Sequence, residues 1–175
     1  MNLSRLQKKL AEAAFFLGKL MKQEQRLTGH REPFDYYLSA FLSAGMSFRD
    51  GFQIRQDRPR NTAIKTWRAQ WENNLTSEEK SLYDFMQKDR VDEVHYSGSS
   101  RDVGEEGVPL PSGIYRTPHD GIFGSDDLPT AGPNLVFRPT YSFTINGTDC
   151  KVTDACRAYL ALLQRMMADF EAANP

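Results

Sequence analysis

Arg90 and His95 stand on either side of Val91-Asp92-Glu93-Val94 in the stretch from Lys88 to Gly98, KDRVDEVHYSG. A guanidinium held near an imidazole is a pair that can bind and cleave a phosphodiester. RNA is cut without a metal when a base takes the proton of a 2′-hydroxyl, an acid protonates the leaving 5′-oxygen and a cation offsets charge on the phosphorane. Histidine, with an unperturbed pKa of about 6.5, suits either proton transfer, and the planar fork of arginine suits the phosphate oxygens. One histidine cannot be acid and base at once. The chemistry therefore asks for two copies of the pair at one groove, which a homodimer supplies.

The element that must position this pair is a helix. Thr76-Ser77-Glu78-Glu79 is a capping-box pattern that starts it, and Leu82, Phe85 and Met86 carry its apolar side into the Arg90/His95 stretch. Five residues at 100° each set Arg90 and His95 roughly 140° apart around an ideal helix. They converge only if the helix distorts or ends between them, if the arginine reaches round, or if a second subunit completes the site. Gly98 suits a helix end near His95. The same residues also have a purely structural use, with Arg90 paired to neighbouring acids and His95 set against the C-terminal carbonyls.

Around this helix, 175 residues of which 39% are hydrophobic suffice for one domain with a real core and are too few to expect two. Lys+Arg number 22 against 23 Asp+Glu, so no global basic field announces a nucleic-acid binder and any such role rests on local patches. The most basic stretch carries Arg49, Arg55, Arg58, Arg60, Lys65 and Arg68. It reads as a solvated loop or, through Arg55, Arg58 and Arg60, as an RNA contact.

Cys150 and Cys156 form neither a CxxC pair nor half of a zinc site, and are read as two reduced, partly buried thiols in the last helix. His119 is isolated from other ligands, so neither a metal nor another cofactor is expected. Lys8, Lys9, Glu12 and Lys19 interrupt what would be a signal-peptide core, and no uncharged run approaches the roughly 18 residues of a membrane helix. These features place the chain in the cytoplasm, away from membranes.

Taken in order, Leu3, Leu6, Leu10, Ala13, Leu17 and Leu20 predict a first helix from about Ser4 to Leu27. Phe34, Leu38, Phe41, Gly45, Phe48 and Phe52 predict a second from about Pro33 to Ile54. Ile64, Trp67, Trp71 and Leu75 mark a third after Pro59, its tryptophans read as core or dimer-contact residues ahead of a base-stacking platform. The helix of the Arg90/His95 stretch is the fourth. Residues 97 to 140 hold seven of the twelve glycines and six of the nine prolines, which predicts a long loop. Tyr141, Phe143 and Ile145 alternate with polar residues before Asn146-Gly147 and predict a short strand or extended arm. Thr148 or Asp149 then caps a last helix lined by Val152, Cys156, Tyr159, Leu163 and Phe170. The whole reads as an all-α fold: an antiparallel bundle of about five helices in one domain, with a loop insertion at about 97–140 and a short arm before the last helix.

FDYYLSAFLSAGMSF (Phe34 to Phe48), a short helix with Trp67 and Trp71, and Phe85-Met86 leading into Arg90-x4-His95 and a Gly-containing turn resemble the HEPN superfamily, the higher eukaryotes and prokaryotes nucleotide-binding proteins. Cys156-Arg157-Ala158-Tyr159-Leu160 is similar to the final helix of bacterial members. The resemblance covers most of the chain outside the 97–140 loop. It implies an all-α bundle that dimerises, a metal-independent endoribonuclease of the kind found as toxins beside protein antitoxins, and Arg90 and His95 as the catalytic pair. Other members are non-catalytic modules that bind nucleotide, RNA or a protein partner. The residue after the arginine is usually polar in the family and is Val91 here, which leaves Asp89 or Asp92 as the supporting polar residue.

Overall fold

The computed structural model describes residues 3–26, 32–52, 59–95, 100–109 and 135–173, with the side chains at 59–61, 93–95 and 135–137 outside that description. Among the described residues there are five helices, α1 (Leu3–Glu24), α2 (Glu32–Asp50), α3 (Pro59–Asn73), α4 (Ser77–His95) and α5 (Val152–Ala173), and three strands, β1 (Asp102–Pro109), β2 (Leu135–Ile145) and β3 (Thr148–Lys151).

Helix α5 is the axis of the bundle, because its apolar residues recur on two adjoining faces: Val152, Cys156, Tyr159, Leu163, Met166 and Phe170 are all buried, and so are Leu160 and Met167. Helices α1, α2 and α4 pack around it. Two contacts set the direction of α1. Gln7, near its start, donates to Glu171 at the end of α5, and Thr153 at the start of α5 donates to Glu24 at the end of α1, so the two run antiparallel. Helix α2 runs the same way as α5, with Phe41 edge-on to Tyr159 and Phe52, just past its end, edge-on to Phe170. The close approach of α2 and α5 needs Gly45, since a Cβ there would lie 2.9 Å from Tyr159 Cε1.

Helix α3 is held by its tryptophans. Trp67 stacks on Phe52 and meets Phe170 edge-on, while Trp71 is edge-on to Tyr83 and its indole N–H donates to Asp169 at 2.8 Å. Trp71 is therefore core and Trp67 packs half-buried against that core, in line with the three-four spacing, and buried Trp71 offers no stacking platform. At the start of α4 the capping box is complete: Glu79 N donates to Thr76 Oγ1 at 3.2 Å, and Thr76 N donates to Glu79 Oε2 at 3.0 Å. The second oxygen of Glu79 accepts from Arg165 at 2.7 Å, which ties the same cap to α5.

The expectation of an all-α fold is corrected by an antiparallel sheet in the order β1-β2-β3. The expected arm is one part of it: Asn146 (φ 52°) and Gly147 (φ 76°) both take positive φ, the two-residue turn that matches strand twist, and pair β2 with β3. Thr148 and Asp149, expected to cap α5, belong to β3, where the Asp149 carboxylate accepts from Thr144 across the hairpin at 2.6 Å; α5 starts at Val152 instead. Cys150 is likewise in β3 and not in a helix. Strand β1 and the first half of β2 fall inside the stretch read as loop, paired from Asp102↔Ser142 to Pro109↔Leu135 and crossed by an Arg138–Glu106 ion pair of 2.8 Å. Only one side of β2 is buried. Tyr141 lies flat on Phe34 of α2 with ring centroids 3.6 Å apart, and Phe143 meets Phe85 of α4, so the sheet closes one end of the bundle.

Candidate functional site

The C-terminal end of α4 lies at the sheet-covered end of the bundle. Helix α4 runs without interruption through Arg90 and His95. The distortion or early ending that would bring the two together within one chain is absent, and positions 90 and 95 remain about 140° apart around the helix. Arg90 is half-buried, two turns beyond core residue Tyr83 and on the same side of the helix. Position 95 falls by register on the side that carries exposed Asp84, Lys88 and Val91; the histidine side chain lies outside the described residues. The fold thus places both members of the pair at one end of one helix and does not bring them onto one face.

Asp89 and Asp92 separate into different roles. Asp92 is half-buried beside the exposed Val91. Asp89 is only 1% exposed, and its Oδ1 accepts from both the backbone N–H and the hydroxyl of Ser100, each at 2.7 Å. It fastens the end of α4 to the residues that enter β1. Nearby, Arg101 pairs with Asp35 of α2 and lies over the ring of Tyr141. These contacts hold the Arg90 turn of α4 against the sheet.

Two arginines of the basic stretch are not in a solvated loop. Arg49 in the last turn of α2 is 7% exposed and Arg68 of α3 is 8% exposed. Arg68 Nε donates to Glu72 Oε1 at 2.8 Å, the Tyr83 hydroxyl donates to the same oxygen at 3.1 Å, and the Arg49 guanidinium sits 4.8 Å from the centre of the Tyr83 ring. Burial alone would raise the Glu72 carboxyl; the hydrogen bond and charge of Arg68, then the Tyr83 hydroxyl and the charge of Arg49, outweigh it and hold Glu72 below the ordinary carboxylate range. Burial pushes the Tyr83 phenol up to about 12 despite the two arginines, so it stays a donor. The sequence carried one signal for this cluster, the i,i+4 pair Arg68/Glu72 on the tryptophan helix, and for Arg49 only its place one turn after Gly45.

Of the remaining candidates, Arg55, Arg58 and His119 lie outside the described residues, and Arg60 is in the first turn of α3 with its side chain outside that description. Both cysteines are free thiols. Cys150 is half-buried and Cys156 buried, and burial, followed by nearby carboxylates, raises both above the ordinary thiol range, which disfavours the nucleophilic thiolate. Among the described residues no three His, Cys, Asp or Glu side chains are grouped to hold a metal ion, and no helix is long and apolar enough to cross a membrane. A groove of about 470 Å³ between α4 and α5, lined by Glu79, Leu82, Ala158 and Arg165 among others, follows the first half of α4 and stops short of Arg90. In comparisons with family models, curated proteins and solved structures, the chain matches none.

Proposed function

We propose that this chain is a HEPN-type helical domain working as a metal-independent endoribonuclease, with Arg90 on the scissile phosphate and His95 in proton transfer. The observation that carries the reading is the placement of the pair at the end of α4, on a turn anchored by Asp89 to Ser100. Because the two positions sit on different sides of the helix, the site is completed by a second copy of the chain in a homodimer. One His95 then takes the 2′-hydroxyl proton as the 2′-oxygen attacks phosphorus. The bond from phosphorus to the 5′-oxygen breaks, and that oxygen receives a proton from the second copy of His95. The products are a 2′,3′-cyclic phosphate and a 5′-hydroxyl. Each proton transfer contributes on the order of a hundred- to ten-thousandfold in rate, and Arg90 offsets charge on the phosphorane. An antitoxin protein that covers this end of the bundle belongs to the same reading, as does a cytoplasmic setting.

Incubating the purified protein with single-stranded RNA in excess EDTA tests this. Products with cyclic-phosphate ends are expected; intact RNA, or cleavage that EDTA abolishes, contradicts it. A second reading, a non-catalytic module that binds nucleotide, RNA or a protein partner, is favoured by one observation: Val91, next to the arginine, is 43% exposed and apolar where a polar residue would assist catalysis. If RNA is the ligand of such a module, its affinity falls steeply with salt; salt-independent affinity excludes it.

A further inference from the structure

Arg49 sits in the core without a counter-charge of its own. Its Nε and Nη1 are both shielded from solvent and donate to no protein partner, and the hydroxyl of Tyr159 is likewise buried without one. The two residues are neighbours. The Tyr159 ring lies against Gly45, one helical turn before Arg49, and its centre is 6.1 Å from that of Tyr83, whose face carries the Arg49 guanidinium. The carboxylate in this cluster, Glu72, is already hydrogen-bonded to Arg68 and Tyr83. The surrounding side chains, Phe41, Tyr83 and Leu163, are fully buried, so the surplus positive charge lies in a low-dielectric setting. A buried charge that is neither paired nor hydrogen-bonded is strongly unfavourable, and natural cores pair such charges.

We propose that Arg49 and Tyr159 bind a small, singly charged oxyanion between α2, α4 and α5, the chemistry shared by a carboxylate and a phosphate group. The guanidinium has an unpartnered nitrogen on each of its hydrogen-bonding edges and suits planar or tetrahedral oxygens. Burial raises the Tyr159 phenol well above its ordinary range, so it remains protonated and donates. One negative charge offsets the excess of buried Arg49 and Arg68 over Glu72, to which the neighbouring carboxylate Asp50 contributes only from the exposed surface. The burial of Arg49 and Tyr159 keeps a nucleic-acid backbone from reaching them. Tyr83 lies about 10 Å along α4 from Arg90, so this site is independent of the proposed nuclease pair.

The test is thermal unfolding of the full chain with sodium formate or inorganic phosphate, at matched ionic strength, for wild type, Arg49→Met and Tyr159→Phe. At about a hundred times Kd, the anion that binds raises the wild-type Tm by roughly 5–10 °C. The rise is absent in Arg49→Met and reduced in Tyr159→Phe. A response to formate alone identifies a carboxylate as the ligand, and a response to phosphate alone identifies a phosphate. An equal rise in wild type and Arg49→Met reports only general exclusion of salt from the surface and overturns the proposal, as does a wild-type Tm that neither anion moves. Should Arg49→Met fail to fold, Tyr159→Phe decides: an undiminished rise overturns the proposal.

Discussion

Replacing Asp89 distinguishes an acid that serves chemistry from one that holds the end of α4 in place. Its Oδ1 accepts two hydrogen bonds of 2.7 Å from Ser100, and Asp89 itself is 1% exposed. A hydrogen bond to a charged group contributes about 1.5–3 kcal/mol, so two contribute about 3–6 kcal/mol. Desolvation of the carboxylate, relieved when it is removed, works in the opposite direction. The balance is a loss of about 2–4 kcal/mol for Asp89→Ala and about 1–2 kcal/mol for Ser100→Ala, which keeps the backbone bond. Urea unfolding followed by circular dichroism reads this as a lower midpoint at unchanged slope. The double variant should be little worse than Asp89→Ala alone, because the serine hydroxyl then has no acceptor left to lose, giving a coupling energy of about 1 kcal/mol or more. A loss below about 1 kcal/mol for Asp89→Ala, or strictly additive effects, refutes the tether. Lost RNA cleavage at unchanged stability would return Asp89 to a direct role.

Gly45→Ala gains about 1 kcal/mol of helix propensity and meets an overpacking cost of about 1–3 kcal/mol, since the new Cβ lies 2.9 Å from Tyr159 Cε1 and 3.4 Å from Leu163 Cδ1. A Tm lower by a few degrees is expected, and a stabilised variant would show that α2 and α5 are not in close contact. Thr76→Ala removes the acceptor for Glu79 N and should cost about 1 kcal/mol in denaturant titration; no change would mean that the cap does not form. The Tyr83 phenol, raised in the folded state to about 12 from an ordinary value of 10, stabilises the fold in its neutral form. That contribution is complete below pH 10 and disappears as pH rises through about 12, so wild type should lose about 2–3 kcal/mol relative to Tyr83→Phe across this window. A difference between the two that is independent of pH contradicts the burial of this phenol.

The helices were legible because their apolar residues recur at three and four, and α4 could be started at Ser77 from the capping box alone. The Asn146-Gly147 hairpin was legible in its turn, where two positive-φ residues are required. Strand β1 was not. Its sequence DVGEEGVP has no apolar alternation, since it is an edge strand exposed along nearly its whole length, and what holds it is pairing to β2, whose partners lie 26 to 40 residues further along the chain. Strand β3 was hidden for a different reason: Thr148 and Asp149 before a helical stripe have the composition of an N-cap, and only the register against Ile145 and Thr144 places them in a sheet. At the candidate site, the approach of α4 to its end was readable, while the burial of Asp89 depends on Ser100, beyond the helix. Arg49 and Arg68 illustrate the same limit. A run of arginines looks like surface until the fold shows Arg68 held by Glu72 on its own helix and Arg49 held over Tyr83 from α4.

In the proposed chemistry both proton transfers fall to His95. Single-turnover cleavage of a short RNA in EDTA, measured for wild type and His95→Ala with folding checked by circular dichroism, tests it most directly. Wild type is expected to cleave, with His95→Ala slower by about a hundredfold or more. A His95→Ala rate equal to that of wild type, or no cleavage by either protein, would contradict it.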